Sequence, residues 1–328
     1  MKKSLLALAV FGAFAGAASA QSNVTIYGIA DVAIERFDTN ATSAQWSLTD
    51  GNTSFNRNGS RIGFKGTEDL GGGLSAIFTI ENGFNIDNGQ LGQGGRIFGR
   101  QAFVGLQGGF GAVKFGRQYT PMFLALDSVD PFGTGLAGSI TNVFNPNGVR
   151  TDNTINFSMS AMGVNGQLAY TLGEQAGSNS LGRQIGLGLG YGNGPVSVQF
   201  AYHDANAATV AGADTTTALL GGAFDLGVAK LHAAIQTNKA ETPAATTGKN
   251  RNWMLGASAP VGAGSVVASF LRGDDRLATN ADVDQYALGY IHNLSKRTNV
   301  YTSYARLNAK PAGAVDTSIF NVGVQHRF

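Results

Sequence analysis

Among the 328 residues there is no cysteine, which rules out disulfides, thiolate nucleophiles and Cys-ligated metals together. Charge is scarce as well: Asp, Glu, Lys and Arg make up 13% of the chain, against roughly 25% in ordinary soluble domains. Beyond residue 20 no stretch approaches ~18 continuous apolar residues, so helical membrane spans are excluded. The 23 basic residues include Lys2 and Lys3 at the start, and the remainder balance 21 acidic ones. Such a balance does not suggest a broad polyanion-binding role. Nucleic-acid binding also lacks support, for want of a basic stripe or a recognition helix.

Catalytic signatures are equally thin. The four histidines, His203, His232, His292 and His326, have no partner at a spacing such as His-x-x-x-His, so neither a metal nor another cofactor is implied. No Gly-x-Ser-x-Gly elbow sits on a strand-to-helix turn and no Walker sequence occurs. His203-Asp204 reads as polar strand residues rather than part of a hydrolytic constellation, and no enzyme is expected.

What the chain holds in abundance is glycine, 47 residues, and alternation of period two. Val24, Ile26, Ala30, Val32 and Ile34 fall on one face of a strand, with Thr25, Tyr27, Asp31 and Glu35 on the other. Ala76, Phe78 and Ile80 likewise oppose Ser75, Thr79 and Glu81, and Val196, Val198, Phe200 and Tyr202 oppose Ser197, Gln199 and His203. Many strands with one apolar and one polar face are the pattern of a transmembrane β-barrel. At the end of the chain, Phe320, Val322, Val324 and Phe328 alternate with Asn321, Gly323, Gln325 and Arg327. A barrel closed by its final strand needs such an ending, and Phe328 is taken as a C-terminal assembly signal. At the other end, a basic Met1-Lys2-Lys3, an apolar run from Leu5 to Ala18 and the small residues Ala18-Ser19-Ala20 read as a cleaved signal peptide over residues 1–20. Residues 21–328 are then one exported barrel domain.

Turn residues count the strands. Short breaks fall near Gly71-Gly72-Gly73, Gly108-Gly109, Gly163-Val164-Asn165, Gly192-Asn193-Gly194, Asp225-Leu226-Gly227, Gly262-Ala263-Gly264 and Leu294-Ser295-Lys296. Seven short turns imply eight hairpins, hence an all-β antiparallel barrel of 16 strands; 18 would also fit the length. Longer polar loops are expected from Asp38 to Asn58, Glu174 to Arg183, Ala205 to Ala213, Lys239 to Lys249 and Arg272 to Asn280. An even count lets the first strand pair with the last and leaves no free edge. One segment breaks the rhythm: Gly116 to about Val149 shows no sustained alternation and contains Pro121, Pro131 and Pro146. A loop this long is usually functional, and its simplest place is folded inward, narrowing the lumen. Gly186, Gly188, Gly190 and Gly192 leave one strand face bare, a feature the sequence does not explain. Trp253, Leu255 and Ala257 are expected to face lipid, with Tyr191, Phe200, Tyr202, Tyr286, Tyr290, Tyr301 and Phe328 in interfacial girdles.

Four separated motifs carry a resemblance over essentially the whole chain: Ser60-Arg61-Ile62-Gly63-Phe64-Lys65-Gly66-Thr67-Glu68-Asp69-Leu70-Gly71, Gln101-Ala102-Phe103-Val104-Gly105-Leu106, Leu294-Ser295-Lys296-Arg297-Thr298 and the terminal Phe328. The chain resembles the general-diffusion porins of the Gram-negative outer membrane, of the neisserial type. That resemblance implies a 16-stranded barrel, a homotrimer in the outer-membrane bilayer, a long third loop folded into the lumen, and wall arginines facing acids on that loop. The family's arginines match Arg61, Arg100 and Arg150, and strand parity is read as supporting the inward face for all three. Asp127 and Asp130 are the candidate loop acids, within a partial match, Asp130-Pro131-Phe132-Gly133, to the family's Pro-Glu-Phe-Gly-Gly; the alternative is that they cap or turn the loop locally. By parity Lys65 and Lys114 also face inward, opposite Asp31, Glu35 and Glu81.

The expected function is passive diffusion of small hydrophilic solutes and ions with a mild anion preference. A substrate-selective channel is the alternative and would show an aromatic track along the lumen. A soluble exported β-sandwich would gain nothing from a terminal aromatic strand.

Overall fold

The computed structural model describes residues 23–51, 55–310 and 313–328; the proposed signal peptide, residues 1–20, lies outside them. Seventeen strand segments form one continuous antiparallel sheet that closes on itself. β1 (Asn23–Thr39) is long enough to serve two neighbours on one side: Asn23–Ile29 pairs with β3 (Arg61–Gly71), and Val32–Phe37 pairs with β2 (Gln45–Asp50). Together β2 and β3 occupy one stave, so the barrel has sixteen. On its other side β1 pairs with β17 (Thr317–Arg327), from Ile29↔Arg327 to Thr39↔Thr317. Phe328 completes the seam: its N–H donates to the Gly28 carbonyl at 3.1 Å, and the Gly28 N–H returns a bond at 3.0 Å.

The remaining staves run in order: β4 (Leu74–Gly83), β5 (Gln101–Gly108), β6 (Gly111–Tyr119), β7 (Arg150–Ala161), β8 (Val164–Thr171), β9 (Gln184–Asn193), β10 (Val196–Ala205), β11 (Asp214–Asp225), β12 (Lys230–Glu241), β13 (Thr246–Val261), β14 (Gly264–Asp275), β15 (Val283–Asn293) and β16 (Thr298–Ala309). Short turns gather at one end and long connections at the other, the arrangement of periplasmic turns and extracellular loops. Alternation sets the faces. In β17, Asn321 and Gln325 are fully buried inside while Val322 and Val324 stand 48% and 40% exposed outside. An outer apolar surface with no packing partner is stable only in lipid.

Several loops are shorter than the sequence suggested. Gln45–Asp50 is a strand that hairpins onto β1, with Trp46 and Leu48 outward, so the first connection is only residues 40–44. Lys239 and Lys249 lie on strands, and only 242–245 connect β12 to β13. A long connection the pattern missed, residues 84–100, joins β4 to β5. Arg96 and Arg117 both donate to the Asp152 carboxylate there, at 2.8 and 2.7 Å. Tyr301 is not in a girdle: it is buried on the inner wall with its hydroxyl on Asp31.

Residues 120–149 enter the barrel. α1 (Pro121–Val129) starts where Thr120 Oγ1 accepts the Phe123 N–H at 3.2 Å and proline fills the first helical position. Its buried residues Met122, Leu126 and Val129 pack on Ala201, Leu219, Ala234, Met254 and Leu271 of the inner wall. Each such burial is worth roughly 1.5–3 kcal/mol. Phe132 and Leu136 then settle on Ala33, Val267 and Tyr301. Polar ties complete the docking: Ala137 N–H donates to Ser303 Oγ at 2.9 Å, and Gln236 exchanges two 2.8 Å bonds with the Asn145 backbone.

Two of the four residues of the bare glycine face have their explanation here. A Cβ at Gly186 would stand 2.9 Å from the Pro121 ring, and one at Gly188 would stand 3.1 Å from Pro121 Cβ. The strand is stripped so that the helix start can lie flat against it. Gly186→Leu is expected to cost about 1–3 kcal/mol of docking and to raise single-channel conductance as the segment lifts. Unaltered conductance from a folded variant would count against this seating.

Candidate functional site

Between the inserted segment and the wall formed by β3, β6, β7 and the 84–100 connection lies a cavity of about 380 Å³, lined by Arg57, Arg61, Arg100, Tyr119, Asp127 and Arg150 among others. Strand β3 delivers Arg61, in ladder register with inward-facing Ile29, and its Nε donates to the Gly59 carbonyl at 3.0 Å. Arg150 opens β7, opposite Tyr119 at the end of β6. Its guanidinium lies 4.2 Å from the Tyr119 ring centroid and donates to the Tyr119 hydroxyl at 2.6 Å. Tyr119 in turn stacks on Phe123 of α1 at 5.2 Å. One tyrosine thus couples a wall arginine to the inserted helix.

The parity expectation for Arg100 and Arg150 is corrected. Along β5, Gln101 and Phe103 face inward and Val104 outward, so strict alternation from Arg100 would point it at lipid. It escapes that because it precedes the strand, on the 84–100 connection. Its Nε reaches Glu81 Oε1 at 2.9 Å and its terminal nitrogen donates to the Tyr119 hydroxyl at 2.7 Å. For Arg150 the alternation from Thr154 is broken by Asn153 at φ 51°, and both Thr151 and Thr154 are buried. The three arginines line one cavity, and irregular backbone places two of them there.

The acids are less available than the sequence implied. Glu81 is consumed by Arg100 and by the Tyr27 hydroxyl, and the side chains of Arg100 and Glu81 are only 6% and 3% exposed. Asp31 lies fully buried, accepting from Tyr301, from Gln325 Nε2 at 2.8 Å and from the Asn58 N–H at 2.9 Å. Glu35 accepts the Phe55 N–H at 3.1 Å. Neither carboxylate faces Lys65 or Lys114 across open water. Those lysines instead sit over the rings of Tyr27 and Phe103, at 5.4 and 5.6 Å. Asp127 does line the cavity, with the Thr134 hydroxyl donating to it. Asp130 does not: it is buried and accepts the N–H groups of Phe132, Thr134 and Ile140 at 3.0, 2.9 and 2.9 Å, organising the turn after α1.

Burial pushes the Asp130 carboxyl up to about 7 against the pull of those three donors. Unfolded, it titrates near 4. Between these values the folded chain holds the extra proton, so stability contributed here is present at lower pH and declines as pH rises towards 7. Amide exchange at Phe132, Thr134 and Ile140 is therefore expected to quicken, after correction for intrinsic rate, from pH 5 to pH 8. Flat protection across that range would contradict the assignment.

Sequence reasoning missed Arg57 and Tyr119. Residues 55–60 leave the wall between β2 and β3 and lie inside the barrel as a strap. The strap is held by Asp31, Glu35 and Gln325, and its Asn56 carbonyl accepts the Leu136 N–H at 2.9 Å. Arg57 rides on it into the cavity. Four arginines, one of them neutralised by Glu81, therefore face one exposed aspartate.

No group of three His, Cys, Asp or Glu side chains among the described residues is placed to hold a metal. A closed sixteen-stave barrel with an outer apolar belt and an inner charged cavity defines a transmembrane channel. The Gram-negative porin family model matches residues 6–312, and the chain belongs to that family. It is 35% identical over its whole length to an outer membrane porin protein of Bordetella pertussis, of which it covers 100%. Over 99% of this chain and 95% of the relative, it is 36% identical to outer membrane porin protein 32 of Delftia acidovorans. An anion-selective porin from Comamonas acidovorans superposes with a TM-score of 0.83 over 94% of this chain and all of that one, at 32% identity. The protein is an outer-membrane porin that forms a diffusion channel for small hydrophilic solutes and ions.

Proposed function

We propose that the channel is anion-preferring, that it works as a homotrimer of independent pores, and that it catalyses no reaction and needs no cofactor. The excess of arginine over free carboxylate at the constriction carries the selectivity reading: Arg57, Arg61 and Arg150 face Asp127, while Glu81 is spent on Arg100. Lys65, four residues along β3 from Arg61 towards the turn end, and Lys114 on β6 extend the basic wall. In a narrow, low-dielectric passage such a wall lowers the energy of a permeating anion and raises that of a cation.

A substrate-selective channel would need free inward rings as a stacking track. Among the inward rings, Tyr27, Phe103 and Tyr119 are each covered by a cation of the wall, Phe123 is stacked on Tyr119 and Tyr301 is buried on Asp31, which favours general diffusion. Phe328, bonded to Gly28 at the seam, is proposed as the element recognised during assembly. Conductance of the purified protein in a planar bilayer tests the reading. A reversal potential of anion sign in a salt gradient and closure in three equal steps are expected, and a cation-signed potential would overturn the selectivity.

A further inference from the structure

A second hollow, of about 870 Å³, opens on the outside of the barrel at the long-loop end, lined by Tyr202, Thr237, Lys239, Lys249, Arg251 and Arg276 among others. Its floor is the outward face of β12 and β13. Along β12 that face reads Leu231, Ala233, Ile235, Thr237, Lys239, and along β13 it reads Ala257, Leu255, Trp253, Arg251, Lys249. Apolar residues give way to cations within about 13 Å of strand. The bottom of the hollow is thus continuous with the lipid-facing belt, where Leu231, Ile235 and Leu255 are 48%, 43% and 57% exposed.

The charges are arranged against the fold's own interest. Lys239 and Lys249 are direct cross-strand partners, and Arg251 follows opposite Thr237. Like charges placed directly opposite destabilise a ladder. Lys239 is relieved by Glu241 at 2.7 Å and Arg276 by Asp274 at 2.7 Å. Lys249 and Arg251 make no ion pair among the described residues; Asp274, the ladder partner of Arg251 on β14, gives its carboxylate to Arg276. A repelling pair with two unneutralised cations, directly above an oily surface, matches one amphiphile in charge and in depth.

We propose that this hollow seats the phosphorylated head group of an outer-leaflet glycolipid, with Lys239, Lys249 and Arg251 on its phosphates and the stripe of Ile235 and Leu255 under its acyl chains. The bound phosphate supplies the counter-charge that the ladder lacks, so the lipid acts as a stabilising part of the wall.

The test uses the folded protein in neutral detergent, titrated with bis-phosphorylated lipid A, with its dephosphorylated form and with inorganic pyrophosphate, and read by native mass spectrometry. Lipid A should bind, and Lys249→Glu should weaken it about tenfold or more, the scale of one lost charge-assisted contact. In lipid-free detergent Lys249→Glu should raise the thermal midpoint, because a repelling pair becomes an attracting one. Single-channel conductance should not change. Arg251→Ala should weaken binding without that gain in stability and serves if Lys249→Glu does not fold. The proposal is overturned by equal binding of the dephosphorylated lipid, by pyrophosphate binding as tightly as lipid A, or by undiminished binding to both variants. Dissociation of the oligomer by either variant would also overturn it, since the patch would then be a contact between copies.

Discussion

Replacing Arg61 and Arg150 together by alanine is expected to lower the anion-to-cation permeability ratio about tenfold. A guanidinium about 6 Å from a permeating ion in water contributes ~0.7 kcal/mol, and physiological salt screens away about half of it. The effect has opposite sign for anions and cations, so two arginines together shift the ratio by about 1.4 kcal/mol. The reversal potential under a tenfold salt gradient reads this directly, and a ratio unchanged within twofold would remove the pair from the selectivity filter. Arg100 is a poorer choice for the same measurement. Its removal would strand the nearly buried Glu81 carboxylate, and breaking such a pair costs roughly 3–5 kcal/mol in stability. Changes in current would then be mixed with changes in folding.

The largest loss of stability is expected at Asp31. Asp31→Ala strands the Tyr301 hydroxyl and the Asn58 N–H at once and leaves the Gln325 amide only its bond to Asn58 Oδ1. Each hydrogen bond to a charged group is worth about 1.5–3 kcal/mol, offset in part by no longer burying a charge. A net cost of about 3–5 kcal/mol is expected, read as a lower midpoint for thermal loss of the folded barrel in detergent. The same change unlatches the strap at residues 55–60, so Arg57 should leave the constriction and conductance should rise. Asp31→Asn keeps one acceptor and should fall between the two. A variant as stable as the parent, with unaltered current, would show that the strap is held elsewhere.

The barrel itself was legible in the sequence because period-two alternation is a direct imprint of a sheet with oil on one side and water on the other. Val322 and Val324 against Asn321 and Gln325 illustrate this in the last strand. Loop boundaries were blurred where strands run past the membrane: Lys239 and Lys249 look like loop residues because the outer face turns polar before the ladder ends. The arginine cluster could be placed, but the acids could not be sorted. Asp31 and Glu35 are spent on backbone N–H groups of the strap, 27 and 20 residues on, and Asp130 on those of its own turn. Nothing local distinguishes a carboxylate that faces water from one that caps a strap. Arg57 was hidden for the same reason, since a run of Asn, Arg and Gly reads as an ordinary exposed turn. The glycine face at Gly186 and Gly188 was visible but mute until Pro121 was seen against it.

The inserted segment is fastened by Met122, Leu126, Val129, Phe132 and Leu136 on an apolar bed, whereas the ion preference we propose comes from half-buried guanidinium groups that line the cavity beside it. Dissolved electrolyte weakens the second kind of force within a few ångströms and leaves the first nearly untouched. Bore and preference should therefore part company as brine is concentrated: discrimination between anions and cations fades, while the largest uncharged sugar or glycol that can pass stays the same.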